Sequence, residues 1–191
     1  MKNVLILNGH PVRGSLNDSL AEAYQAGAIQ KGHSVELFHL SALEFNPELS
    51  GAYQKSTELE PDLQLMQEKI RWCNHLVFVH PVWWGGLPAK MKGFIDRVFL
   101  PGFAFRYKKD SVWWDRLLAG RSGQIICTLD QPYWYYWLIN GRPGIHQLKK
   151  MTMEFCGIQP VSVLAFGPVR NADPQTIQSW IQKTKQKGNS L

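Results

Sequence analysis

Cysteine is scarce in this chain, long apolar runs are missing, and no basic arm is present. The three cysteines, Cys73, Cys127 and Cys156, stand far apart and form neither a C-x-x-C pair nor a metal-ligand spacing. A disulfide framework and a metal site are therefore not expected, and a reducing compartment fits best. No segment approaches the roughly 18 apolar residues of a membrane helix. The opening MKNVLILNGHP has one lysine before a short apolar run and no small-residue cleavage site. A cytoplasmic protein without a transmembrane segment is the expectation. Neither G-x-G-x-x-G nor G-x-x-x-x-G-K-[ST] occurs, which removes the main support for a dinucleotide fingerprint or a nucleoside-triphosphate loop. The net charge of +6 is scattered along the chain, so it favours attraction to anions while nucleic acid is not expected as a partner.

What is present is an alternation. With 191 residues, 45% hydrophobic and 19% charged, the chain suits one domain spanning 1–191. Val4–Asn8 is a short apolar run ended by Gly9 and Pro11, the pattern of a strand buried on both faces. Helical spacing follows from Asn17 to Lys31, then an alternating strand Ser34–Leu40 and a Pro-, Gly- and Ser-rich loop from Ser41 to about Thr57. Helix Leu59–Cys73, strand His75–His80, helix Pro88–Phe99, a long aromatic connection Leu100–Arg121 and strand Gln124–Leu129 continue the series. Helix Gly144–Cys156, strand Val161–Phe166 and a last helix from Asp173 complete it, for five strands and five helices. Such alternation implies a parallel sheet with helices on both faces, and five strands fit the flavodoxin-like order 2-1-3-4-5. Ligands in these sheets bind beyond the carboxyl ends of the strands. That selects three loops: His10–Asn17, Pro81–Gly86, and Thr128 to about Tyr136.

Each loop carries a distinct chemistry. His10, Ser15, Leu16 and Asn17 precede a helix N-terminus, where free N–H groups and the dipole favour an anion, although a Ser or Asn here can equally serve only as a cap. Its place after the first strand favours a phosphate. In the second loop, Pro81, Val82, Trp83, Trp84 and Gly85 offer flat apolar area beside backbone a planar ring can approach. One of the two tryptophans is expected to pack into the core or a subunit interface. The third loop, Thr128, Leu129, Asp130 and onward, reaches five consecutive aromatics from Tyr133 to Trp137, a density suited to a pocket wall, a homodimer contact, or both. Phe105 and Tyr107 either complete that wall or form a short core-packed strand. Cys127 and Cys156, in apolar strand and helix contexts, are expected to be inert thiols.

Taken in order, His10-Pro11…Ser15-Leu16-Asn17, then His80 to Ala89…Lys92-Gly93…Asp96-Arg97-Val98-Phe99, Gly102-Phe103-Ala104-Phe105 and Phe155-Cys156-Gly157 resemble the NAD(P)H:quinone oxidoreductases of the flavodoxin-like superfamily. That group includes ancillary subunits of glutathione-gated potassium efflux systems and bacterial NAD(P)H-dependent reductases. The resemblance implies a flavin, FAD with FMN as the alternative, its phosphate side held at His10, Ser15, Leu16 and Asn17 and its ring at Pro81–Gly85. It also implies NAD(P)H as electron donor and a ping-pong transfer of two electrons to a quinone or similar flat acceptor. Tyr135 and His146 are the catalytic residues so expected, with Phe105, Tyr107 and Trp134 stacking the substrate. A departure lies at Cys127-Thr128-Leu129-Asp130, where similar proteins read Thr-Thr-Gly-Gly. The alternative implied is a regulatory flavoprotein bound to a membrane transporter.

Overall fold

The computed structural model describes residues 1–49 and 58–191. Five parallel strands form the central sheet: β1 (Asn3–Asn8), β2 (Ser34–His39), β3 (His75–Pro81), β6 (Ser122–Thr128) and β7 (Val161–Phe166), in the order β2-β1-β3-β6-β7. Relabelled as the main strands alone, this is the expected 2-1-3-4-5 series.

The strands read as unbroken apolar runs because helices cover both faces. Val4, Ile6, Val77, Val79 and Ile126 point to one side, against Leu20, Ala21 and Tyr24 of α1 (Leu16–Gln30) and Trp180 of α6 (Pro174–Asn189). Leu5, Leu7, Leu76, Phe78 and Ile125 point to the other. They meet Leu63, Met66 and Ile70 of α2 (Pro61–Trp72) and Met91, Phe94, Ile95 and Val98 of α3 (Ala89–Val98). Fully burying each such side chain stabilises the fold by about 1.5–3 kcal/mol. Helices α1 and α6 touch where Gly27 and Gly188 face each other's backbone: a β-carbon on Gly27 would collide with the Lys185 carbonyl, and one on Gly188 with that of Tyr24. No helix among the described residues is long and apolar enough to cross a membrane.

Three sequence expectations need correction. The connection before β6 contains a small antiparallel ribbon, β4 (Phe105–Tyr107) with β5 (Trp114–Arg116), so the described residues hold seven strands. The aromatic stretch expected to be a loop is a short helix, α4 (Tyr133–Leu138), started by Pro132 and anchored by the one fully buried ring, Tyr136. The helix expected over Gly144–Cys156 divides into α5 (Pro143–Leu148) and a wider π turn over Lys149–Glu154, where the Thr152 hydroxyl donates to the Gln147 carbonyl at 3.0 Å. Six residues are fewer than two helical turns, too short for periodicity to show. The loop read over Ser41–Thr57 lies partly outside the described residues.

Candidate functional site

Asn8, Pro81 and Thr128 end three adjacent strands, and the loops that leave them meet. Gly9 N–H donates to the Val79 carbonyl at 2.8 Å and Val82 N–H to that of Thr128 at 2.7 Å, which sets the strand ends side by side. Between them lies a cleft of about 210 Å³ lined by His10, Leu16, Asn17, Pro81, Val82, Trp83, Thr128, Leu129, Asp130 and Val169. A wider hollow of about 770 Å³ continues from it past Trp84, Gly85, Gln131, Asn140, Pro143 and Arg170, sharing Val82, Trp83, Leu129 and Asp130. The three loops selected by sequence therefore form one site.

At its inner end, Asn17 is 2% exposed; its Oδ1 accepts the Thr128 hydroxyl at 3.0 Å, while its Nδ2 has no partner among the described residues. Leaving a buried amide donor unpaired costs about 1–3 kcal/mol. The backbone N–H groups of Leu16 and Asn17, at the start of a helix of 15 residues, also make no bond among the described residues. Donors and helix dipole thus converge where an anion was expected.

Ser15 faces the helix. Its hydroxyl accepts Asp18 N–H at 3.3 Å, and its own N–H donates to Asp18 Oδ2 at 2.9 Å, a reciprocal capping box. Asp18 Oδ1 in turn holds Asn8 Nδ2 at 2.7 Å and His39 Nδ1 at 3.0 Å. Sequence reading missed Asp18 and His39, although Ser15 followed three residues later by an acid is the signal of such a box. His10 Nδ1 sits 2.8 Å from the Val12 carbonyl, and its ring meets Trp83 edge-on at 5.9 Å between centroids.

The second loop is a tight hairpin turn. Trp83 and Gly86 exchange backbone hydrogen bonds of 3.2 and 2.9 Å, and the two residues between them, Trp84 and Gly85, have φ of 50° and 77°. That geometry normally selects Asn or Gly. A tryptophan there is strained, and its ring is fully exposed beside the hollow. Neither tryptophan packs into the core of this chain, because a two-residue turn projects Trp84 outward and leaves Trp83 on the cleft wall.

Tyr136, also missed, ties this turn in place. Its hydroxyl donates to the Gly85 carbonyl and accepts Gly144 N–H, both at 3.0 Å. Tyr136→Phe is expected to destabilise the fold by about 1–2 kcal/mol by removing both bonds, read as a lower urea midpoint at unchanged m-value. Its neighbours Trp134 and Tyr135 are exposed and stack edge-on at 5.8 Å. His146 is exposed on α5 and does not line the cleft or the hollow.

At the third loop Leu129 is buried, and its N–H donates to the Phe166 carbonyl at 2.9 Å. Asp130 is turned to the rim, where Oδ1 accepts Arg170 N–H at 3.2 Å and Oδ2 lies 3.8 Å from the Arg170 guanidinium. Phe105 and Tyr107 do not wall this site. They line a separate cavity of about 450 Å³ with Phe99, Met151 and Phe155, because the ribbon β4–β5 packs Phe105 edge-on to Phe155 at 5.2 Å. Cys127 and Cys156 are buried, and burial pushes both thiols up to about 12, which leaves them unreactive.

A doubly wound parallel sheet with an anion-ready helix start and an aromatic turn at its switch point defines a flavodoxin-like protein. Residues 2–187 match the family described as Flavodoxin-like fold, and the chain belongs to it. It is 28% identical over 192 residues to an uncharacterized NAD(P)H oxidoreductase of Haemophilus influenzae, covering 97% of this chain and 93% of that protein. It is 30% identical over 127 residues to NAD(P)H dehydrogenase [quinone] 1 of Cavia porcellus, a match covering 56% of this chain and 46% of the other. The chain thus spans about half the length of the guinea-pig protein. A solved Streptococcus mutans structure superposes with a TM-score of 0.85 at 28% identity, covering 99% of this chain and 100% of that one.

Proposed function

We propose that residues 1–191 form one flavin-binding domain of a cytoplasmic NAD(P)H oxidoreductase, with FAD as cofactor and a quinone or similar flat molecule as acceptor. The observation that carries this reading is the cleft itself, at the ends of β1, β3 and β6, lined by Leu16 and Asn17, whose backbone N–H groups make no bond among the described residues and the second of which has a buried, unpartnered Nδ2. A flavin phosphate supplies the missing acceptor. The relatives' names, NAD(P)H oxidoreductase and NAD(P)H dehydrogenase [quinone], support the donor and the acceptor class.

A flavin, when bound, would supply two-electron redox chemistry between NAD(P)H and the acceptor in a ping-pong sequence. The chain positions the reactants. His10, Ser15, Leu16 and Asn17 hold the phosphate side, Pro81–Gly85 and Thr128–Asp130 bracket the ring, and Trp84 and Trp134 offer exposed aromatic faces to donor and acceptor. Tyr135 and His146 line neither the cleft nor the hollow, so their proposed role in offsetting charge or moving a proton requires that bound ligand reach past both. Phe105 and Tyr107 line a different cavity of the same chain, so their role in stacking substrate requires a homodimer in which a second copy brings them over the cleft.

Reconstitution tests this directly. Apoprotein mixed with FAD is expected to turn yellow, retain the flavin through gel filtration, and oxidise NAD(P)H with a quinone in a pattern of parallel double-reciprocal lines. A colourless protein with both FAD and FMN, inert toward NAD(P)H, overturns the reading.

A further inference from the structure

Helix α4 presents a face that the candidate site does not use. Tyr136 packs inward, while Trp134, Trp137, Leu138 and Ile139 around it are between 46% and 65% exposed and line neither the cleft nor the hollow. A ligand in those spaces does not cover them. The Tyr136 hydroxyl ties the helix to the Gly85 carbonyl, so the exposed Trp84 ring, held out at a strained φ of 50°, stands beside the same face. Contiguous apolar surface of this kind marks an interaction site. Its composition is specific: indole and phenol rings, each with one polar edge, sit next to plain aliphatics. Such rings belong where one end is apolar and the other wet. The charge is of one sign as well. Residues 131–153 contain Arg142, Lys149 and Lys150 and no acid. Arg142 is exposed, and its guanidinium lies 5.8 Å from the centre of the Trp137 ring. The nearest acids in sequence are opposed by bases, Glu154 by Lys149 and Lys150 at 3.9 and 2.7 Å and Asp130 by Arg170 at 3.8 Å, which leaves the face positive.

We propose that α4 and the Trp84 turn form a docking face for the surface of an anionic lipid bilayer. The rings and aliphatics enter the boundary between headgroups and acyl chains, while Arg142 stays among the lipid phosphates. The chain's net charge of +6 adds longer-range attraction to a negative surface. Helix α4 has only six residues, and no helix among the described residues is long and apolar enough to cross a membrane, so the contact lies on the bilayer and is reversible. A second copy of this chain fits the face less well. An isologous contact sets a patch against itself, which brings two positive faces together. An anionic bilayer supplies the opposite charge. Trp84 and Asn140, next to Ile139, also belong to the wall of the hollow, so a docked chain holds the mouth of that hollow at the lipid. The docking face does not depend on the flavin reading.

Co-sedimentation with vesicles reads the contact without any turnover. The purified chain is expected to bind vesicles of phosphatidylcholine with about 30% phosphatidylglycerol at least about tenfold more tightly than phosphatidylcholine alone, and less tightly in about 0.5 M salt. Trp137→Ser/Leu138→Ser/Ile139→Ser changes three exposed positions; it is expected to keep the wild-type circular dichroism spectrum and to weaken binding to the anionic vesicles at least about tenfold. Arg142→Gln is expected to weaken it about fivefold. Brominated phosphatidylcholine in the same vesicles gives a check on unmodified protein, where part of the tryptophan emission is expected to be quenched. Wild-type protein that stays in solution beside the anionic vesicles, or binding that the triple variant leaves unchanged, overturns the proposal. If wild type ignores vesicles and the triple variant turns a dimer into a monomer on gel filtration, the face belongs to a second copy and the proposal falls. Flavin titration of the same samples keeps the two readings apart: protein that binds flavin but no vesicle sinks only the docking face, and protein that binds vesicles but no flavin sinks only the flavin reading.

Discussion

Acidification from pH 7 to pH 5 is expected to remove about 4 kcal/mol of folding stability, through two buried histidines. His80 is fully buried, with Nδ1 2.9 Å from the Pro81 carbonyl and no partner for Nε2 among the described residues. Burial drives its pKa down to about 4. His75 lies between the Tyr24 hydroxyl at 3.0 Å and the Ser122 hydroxyl at 2.7 Å. Burial, with Lys2, Lys187 and His33 adding to it, drives its pKa down to about 3. In the unfolded chain both return to about 6.5. Below that value the unfolded state takes up protons that the folded state refuses, so stability falls with pH. The loss starts near 6.5 and ends only near 4 for His80 and 3 for His75. Each histidine contributes about 2 kcal/mol by pH 5. Urea titrations at pH 7, 6 and 5 measure the slope. His80→Phe, which removes one of the two groups at similar volume, is expected to halve it; an unchanged slope would show that the loss has another source.

The parts of the fold legible in the sequence are those with a single dominant force. Strands β1, β3 and β6 are buried on both faces, so their apolar runs mark them within two residues, and Pro81 and Thr128 fall where the turns begin. The turn after β1 was legible for the same reason, as a helix start beside the cleft: its position after the first strand fixes its surroundings. Elements held by one contact were not. Helix α4 exposes most of its rings and depends on Tyr136, whose hydroxyl bridges to Gly85 and Gly144, a link between residues 51 apart that no local pattern announces. The ribbon β4–β5 likewise exists through pairing of Phe105 with Arg116 and of Tyr107 with Trp114, and it carries Phe105 and Tyr107 away from the cleft. Asp130 illustrates a third case. Its charge was readable, but the partner that turns it to the rim, Arg170, comes from the segment after β7.

Asn17→Asp is expected to weaken flavin binding by at least about a thousandfold, with a loss of stability because the new carboxylate is buried. The side chain is nearly isosteric with the original. Its Oδ1 still accepts the Thr128 hydroxyl across 3.0 Å, so the contact that joins the first loop to the end of β6 survives. What changes is the other atom. Nδ2, a donor with no partner among the described residues, becomes a second carboxylate oxygen in a residue that lines the cleft. A charge-assisted bond of about 1.5–3 kcal/mol to phosphate is lost, and repulsion of a few kcal/mol is added at close range. Asn17→Ala loses only the bond, so about a tenfold to hundredfold weakening is expected for it, with some loss of stability because Thr128 is left without its acceptor. The two variants therefore separate in flavin titration, where Asp is the worse of the two. If both weaken flavin binding by the same factor, Asn17 serves only as a spacer, and the anion is held by the backbone of Leu16 and Asn17 alone.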